Sequence, residues 1–204
     1  MNISKPKYIR FFSDIHLDFD ISNSYFNKSE RLWSPEKMPT DKQTALILAG
    51  DIWHAKMPFD YTGKSWIKKI SMQFKYVIIV LGNHDFWGGS LDQEYMNYRK
   101  AIANQDLYNV FLLQNSSLFF DGLKFIGATL WTNYFNNKNC LNNALNVEMN
   151  DYNLIKNKNN LILPSDLLKE HEISCDYIFN NAKKEYLNQK LIVISHHCPS
   201  LKSK

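Results

Sequence analysis

The chain has 204 residues, 45% of them apolar and 22% charged, with a net charge of +4 from 24 basic and 20 acidic side chains. This is the composition of an ordinary soluble globular protein, and the length suits one domain, 1–204, with a substantial core. The positive excess is spread thinly, as single lysines and pairs such as Lys68-Lys69 and Lys183-Lys184, with only three arginines (Arg10, Arg31 and Arg99). Arg is the favoured residue for base edges and bidentate phosphate contacts, so a dedicated nucleic-acid reader is not indicated.

The opening stretch "MNISKPKYIRFF" runs directly into a strand, with no apolar core and small-residue cleavage site of a secretory leader. The strand is expected over Tyr8 to Phe12 and ends at "SDIHLDFD". A second strand, Ala45 to Leu48, ends at "AGDIWH", and "GKSWIKKISMQF" reads as the helix after it. A third strand, Tyr76 to Leu81, ends at "GNHDFWGG". In "SLDQEYMNYRKAIAN" the pattern is again helical, with Ser90 placed as its N-cap. Then come "NVFLLQN", "SSLFFDG" and "LKFIGATLW", three strand-like pieces with Asp121-Gly122 as a hairpin turn between the last two. A second sheet is expected from this meander. Alternation of short apolar runs with amphipathic segments marks a layered α/β fold.

From Asn133 to Asn160, 12 of 28 residues are Asn. The composition reads as turn-tolerant filling of a solvent loop, with a substrate-facing cap loop as the functional alternative. Pro164-Ser165-Asp166 opens a long helix expected to run to about Asn188. Leu168, Cys175, Ile178, Phe179, Ala182 and Tyr186 form its expected buried face, and His171 reads as a packed or partly exposed histidine. The last strand, "KLIVIS", delivers His196 and His197. No apolar run approaches the roughly 20 residues that span a bilayer. Cys140, Cys175 and Cys198 are odd in number and form no C-x-x-C, which argues for a reducing compartment, the cytoplasm. Cys198 reads as a small buried residue.

Four strands therefore end in chemistry: Asp14 and His16, Gly50-Asp51, Gly82-Asn83-His84-Asp85, and His196-His197. Strands that enter a sheet from one side place these ends in one cleft. Carboxylate, imidazole and amide oxygen suit Mn²⁺, Fe or Zn²⁺ rather than thiolate-selecting metals. One carboxylate bridging two ions roughly 3.5–4 Å apart is the arrangement that clamps a phosphoryl transfer. Asp51 is the natural bridge, since Gly50 lets the backbone approach closely. Each motif alone is weak; four in this order, each at a strand end, are not.

The order D-x-H, G-D, G-N-H-[DE] and a late strand-end His resembles the calcineurin-like metallophosphoesterases over essentially the whole chain. The separations, 37 residues from Asp14 to Asp51 and 32 from Asp51 to Asn83, resemble that family's strand-plus-helix units. "GATLWTNY", "MNDYNLI" and "VISHHCPS" look like an uncharacterised bacterial and phage branch of it. The resemblance implies a four-layer α/β/β/α sandwich with two mixed sheets. It implies two divalent metal ions, Mn²⁺ first, with Asp14 and His16 on one, Asn83 and a strand-end histidine on the other, and Asp51 between them. His196 is taken over His197 because it is the first residue past the Ser that closes the strand; neighbouring side chains on a strand point to opposite faces, so the two do not share the role. His84 is then the general acid or electrostatic stabiliser beside the phosphate, and Asp85 the partner of its ring.

The family pattern continues with a further strand and G-H-x-H, which this sequence lacks. Either the chain is a piece of a longer product or the gene itself is truncated; for this chain the resemblance implies a C-terminally truncated fold with an exposed sheet edge, metals each short of one imidazole, and substoichiometric metal. The implied activity is hydrolysis of phosphate mono- or diesters by metal-bound hydroxide. The motifs "GDIWHAK" and "GNHDF" lack the Asp-Arg pair and the Glu of the family's protein phosphatases, and the additions of its nucleases are missing too. A small-molecule or nucleotide phosphoester remains as substrate. The alternative is a non-catalytic binding protein on the same fold.

Overall fold

The computed structural model describes residues 4–22, 32–55, 61–182 and 190–203. Four strands form a parallel sheet in the order β1 (Tyr8–Phe12), β2 (Thr44–Ala49), β3 (Tyr76–Val80) and β4 (Val110–Leu112). Helix α1 (Leu17–Ser22) follows β1, α2 (Tyr61–Gln73) joins β2 to β3, and α3 (Glu94–Ala103) joins β3 to β4. β2 and β3 are buried along nearly their whole length, as the continuous apolar runs of a parallel sheet covered on both faces require.

The second sheet has the order β5 (Ser116–Phe120), β6 (Leu123–Ala128) and β9 (Lys190–Ser195). β5 and β6 are antiparallel across Asp121-Gly122, and β6 runs parallel to β9. Among the described residues this sheet mixes directions and the first is parallel, where both were expected mixed. "NVFLLQN" also changes sheet. It becomes β4 at the edge of the first sheet, because the α3 crossover returns the chain parallel to β3 rather than into a meander.

Alternation sorts the strand residues into layers. Leu46, Leu48, Val77 and Ile79 pack with Trp66, Ile67, Ile70, Phe74 and Tyr98 of the α2–α3 side. Ala45, Ile47, Ile78 and Val80 face Phe120, Phe125 and Ile194 across the space between the sheets. On the far side α6 (Pro164–Ala182) covers the second sheet, with Tyr177 Oη 2.9 Å from Ser117 Oγ and Lys124 Nζ donating to the Asn181 carbonyl. The order is α/β/β/α. At the β1 margin the described residues leave the inner face uncovered, with Phe11 77% exposed.

Gly127 of β6 sets how closely the sheets approach. A Cβ there would stand 2.4 Å from Leu113 Cβ and 2.8 Å from Val80 Cγ2.

Several local expectations differ. Ser90 does not cap α3: its backbone carbonyl accepts from Gln93 and Glu94, and Gln93 begins the helix without a side-chain cap. The α6 face is rotated. Leu167 and Ser174 are buried and Phe179 is 59% exposed, because small Ser174 allows the close approach and Leu167 and Leu168 fit the apolar pattern equally well. Tyr186, Asn188 and the Lys183-Lys184 pair lie outside the described residues. Cys198 is exposed, since it sits in the turn beyond β9.

The Asn-rich stretch folds into α4 (Lys138–Asn143), α5 (Asp151–Leu154) and the short hairpin β7 (Lys156–Asn157) and β8 (Asn160–Leu161). Two of its asparagines do turn chemistry: Asn133 Oδ1 accepts from the Phe135 amide, and Asn137 caps α4.

Candidate metal centre

The C-terminal ends of β1, β2, β3 and β9 converge. Backbone bonds fasten the first loop to the second: the Asp14 amide donates to the Gly50 carbonyl, His16 to Asp51, and Leu17 to Ile52. Asp14, His16 and Asp51 are held in the left-handed region, at φ 55°, 48° and 54°. Such conformations cost about 1–3 kcal/mol each and cluster at functional sites.

Asp51 is buried and its two oxygens face different neighbours. Oδ2 lies 3.7 Å from His16 Nε2, while Oδ1 lies 3.4 Å from His196 Nε2 and accepts from the His84 amide. Burial is the largest influence on its acidity and, helped by the Asp14 charge, holds the Asp51 pKa above the ordinary carboxylate value. Donor atoms of Asp14, His16 and Asp51 lie within 4.8 Å of one another.

His196 Nδ1 donates to the Ala49 carbonyl at 2.9 Å, which turns Nε2 toward Asn83 and Asp51. That nitrogen stands 3.2 Å from Asn83 Oδ1 and 3.4 Å from Asp51 Oδ1. Two oxygens, one amide and one carboxylate, therefore converge on that ring nitrogen. Asn83 is oriented from behind, because its Nδ2 donates to Asp151 Oδ1, which also accepts from Trp87 Nε1. Among the described residues, His16 Nδ1 is buried without a hydrogen-bond partner. Converging carboxylate, imidazole and amide-oxygen ligands are what a divalent cation satisfies, and the O/N donor set fits Mn²⁺, Fe or Zn²⁺.

The glycines of G-D and G-N-H-D are required by packing. A Cβ on Gly50, at φ +95°, would lie 2.3 Å from His196 Nδ1, and one on Gly82 would lie 2.1 Å from Asp51 Oδ1.

His197 points elsewhere. Its Nδ1 lies 3.3 Å from the Thr129 carbonyl and its ring leans on Trp131. Burial, then the neighbouring His196, lowers its pKa to about 4.

Asp85 does not touch the His84 ring. It is fully buried and accepts four backbone amides, those of Asp51, Ile52, Trp53 and Gly82, at 2.7–3.0 Å. Burial pushes its pKa up to about 7 against the pull of these bonds. The ring partner is Asp18, whose Oδ2 lies 2.9 Å from His84 Nε2. Burial works to lower the His84 pKa, but the Asp18 bond and charge outweigh it and the net shift is upward. His16, Asp18 and His84 form a second cluster of donor atoms within 4.8 Å. Asp18 and Asp151 are thus the site residues that the motifs do not announce.

A family model described as calcineurin-like phosphoesterase matches residues 8–203. The chain belongs to that family. As a member it is a metal-dependent phosphoric ester hydrolase, and the donor clusters of its strand ends supply the ligand chemistry the family implies. An uncharacterized protein of Acanthamoeba polyphaga mimivirus is 32% identical over 202 residues, 95% of this phosphoesterase chain and 68% of the relative. Phosphopantetheinyl hydrolase (PptH) from Mycobacterium tuberculosis shares the fold, with a TM-score of 0.61 at 16% identity over 96% of this chain and 69% of that one. No helix among the described residues is long and apolar enough to cross a membrane.

Proposed function

We propose that this phosphoesterase holds two divalent cations, Mn²⁺ by preference, and hydrolyses a small-molecule phosphate mono- or diester. Asp14 and His16 hold one ion, Asn83 and His196 the other, and Asp51 is shared. The observation that carries this reading is the split aim of Asp51, one oxygen toward His16 and the other toward His196, whose Nε2 also meets Asn83 Oδ1. When bound, two such ions supply positive charge to the phosphate oxygens and lower the pKa of an attacking water.

The chain's own residues do the rest. His84 is the general acid that protonates the leaving oxygen. Asp18 is its positioning residue, holding one ring nitrogen and favouring the protonated ring. Asp85 clamps the loop after β2 to the loop after β3, and Asp151 fixes which way the Asn83 amide faces. We place residues 1–204 in one domain, and the three thiols, free of disulfides, in a reducing cytoplasm.

The test is metal content together with hydrolysis of bis-p-nitrophenyl phosphate under a Mn²⁺ titration. The expected result is hydrolysis that rises with Mn²⁺ and is abolished by chelator. A folded protein that binds no Mn²⁺ and hydrolyses nothing would instead mark a non-catalytic phosphoesterase fold.

A further inference from the structure

Beside the metal centre lies a cavity of about 620 Å³, within the size range of small-molecule sites. Its floor is Trp131, Tyr152 and Leu167, and its rim is Phe135, Val147 and Met149. The rim is apolar yet exposed, with Phe135 at 70%, Val147 at 57% and Met149 at 40%. The segment that builds floor and rim is strained: Trp131, Tyr134, Phe135 and Asn136 are all in the left-handed region, at φ 43°, 51°, 57° and 55°. Bulky residues adopt that region only where the surroundings enforce it.

Two wall residues join the cavity to the centre. Asp151 lines it, but its Oδ1 is committed to Asn83 Nδ2 and Trp87 Nε1, so that carboxylate oxygen is engaged toward the strand ends. His197 lines it, and its ring lies 5.0 Å, centroid to centroid, from that of His196. The chamber and the centre therefore adjoin through Asp151 and His197.

We infer that this chamber is the subsite for an apolar organic group of the phosphoester substrate, so that the enzyme selects esters of hydrophobic alcohols over small or polar ones. The inference rests on the phosphoesterase reading above and adds the substrate class. Each methylene taken fully from water is worth about fourfold in affinity, so chain length is the direct readout.

The experiment is calorimetric titration of the full chain, with and without Mn²⁺, by methylphosphonate, n-octylphosphonate and 1-octanol. The expected outcome is that n-octylphosphonate binds at least about 10-fold tighter than methylphosphonate, and that Mn²⁺ strengthens n-octylphosphonate but not 1-octanol. Val147→Asp, or Met149→Asp as a second rim variant, should bring the two phosphonates within about threefold of each other, since a rim charge removes the gain from burying the chain. Met72→Asp, at an exposed position in α2, is the control and keeps the wild-type ratio. Equal binding of the two phosphonates overturns the chamber and leaves the metal reading standing. A length preference that ignores Mn²⁺ also overturns it, because the chamber would then not serve the centre. Loss of the metal reading itself shows separately, as Mn²⁺ that neither binds nor supports hydrolysis.

Discussion

Gly82 and Asp51 meet so closely that one added carbon would stand 2.1 Å from Asp51 Oδ1. Gly82→Ala should therefore push the carboxylate off its position between His16 and His196. The expected result is a folded protein with Mn²⁺ affinity reduced about 10–100-fold, the size of effect seen when groups that orient metal ligands are removed. Calorimetric Mn²⁺ titration measures it, and wild-type affinity in the alanine variant would show that the carboxylate is not a ligand.

Asp51→Asn and His84→Ala should separate binding from chemistry. The first variant should lose both ions, as it removes the shared ligand. The second should keep its metal and lose roughly 10²–10⁴-fold in turnover, the range for a proton donor. Metal analysis beside turnover on one preparation decides, and equal metal content in wild type and Asp51→Asn contradicts the assignment.

Asp18→Asn and Asp85→Asn should fail in different ways. Asp18 holds the His84 ring, so its loss should lower the His84 pKa and move the alkaline limb of the pH–rate profile to lower pH, with turnover down about 10-fold. Asp85 accepts four amides. An amide side chain has one acceptor oxygen and would set its NH₂ against backbone N–H groups, so Asp85→Asn should cost about 3 kcal/mol or more of stability. An unshifted profile in Asp18→Asn, or an unchanged melting temperature in Asp85→Asn, would refute the respective role.

Acid should weaken the first sheet at Asp41. Burial works to raise its pKa, but hydrogen bonds from the Met38 amide, Gln73 and Arg10 outweigh it and hold the carboxyl below the ordinary value. A lowered folded pKa gives stability that is present above the unfolded value of about 3.9 and is lost as pH falls through the folded one. Melting temperatures from pH 6 to pH 3 should fall more steeply for wild type than for Asp41→Asn. Parallel curves would mean that the carboxylate contributes nothing.

The strand ends were legible because each follows an apolar run, and such runs announce both a strand and the residue it delivers. Asp18 was not, since its partner His84 lies 66 residues away and only the first turn of α1 swings it back. Asp151 sits in a stretch whose composition resembles solvent filling, 68 residues from the Asn83 it orients. The pairing of Asp85 with His84 failed for a local reason. Residues 84–86 form a 3-10 turn, in which consecutive side chains diverge by about 120°, so neighbours in sequence face different surroundings. β4 changed sheets because an apolar run carries no record of which neighbour it pairs with.

Gly127 has a consequence for how the two proposed ions respond to load. Asp14, His16 and Asp51 all rise from the first sheet, whereas His196 comes from the second, and the spacing between the sheets rests on the missing Cβ at position 127. On that proposal the first ion would be held within one sheet, and the second would span a gap whose width the core controls. Hydrostatic pressure, heat or a distant core substitution would change that gap before distorting either sheet. The two proposed sites should thus differ in compliance: an ion on Asn83 and His196 would be the one the protein's interior can loosen from afar.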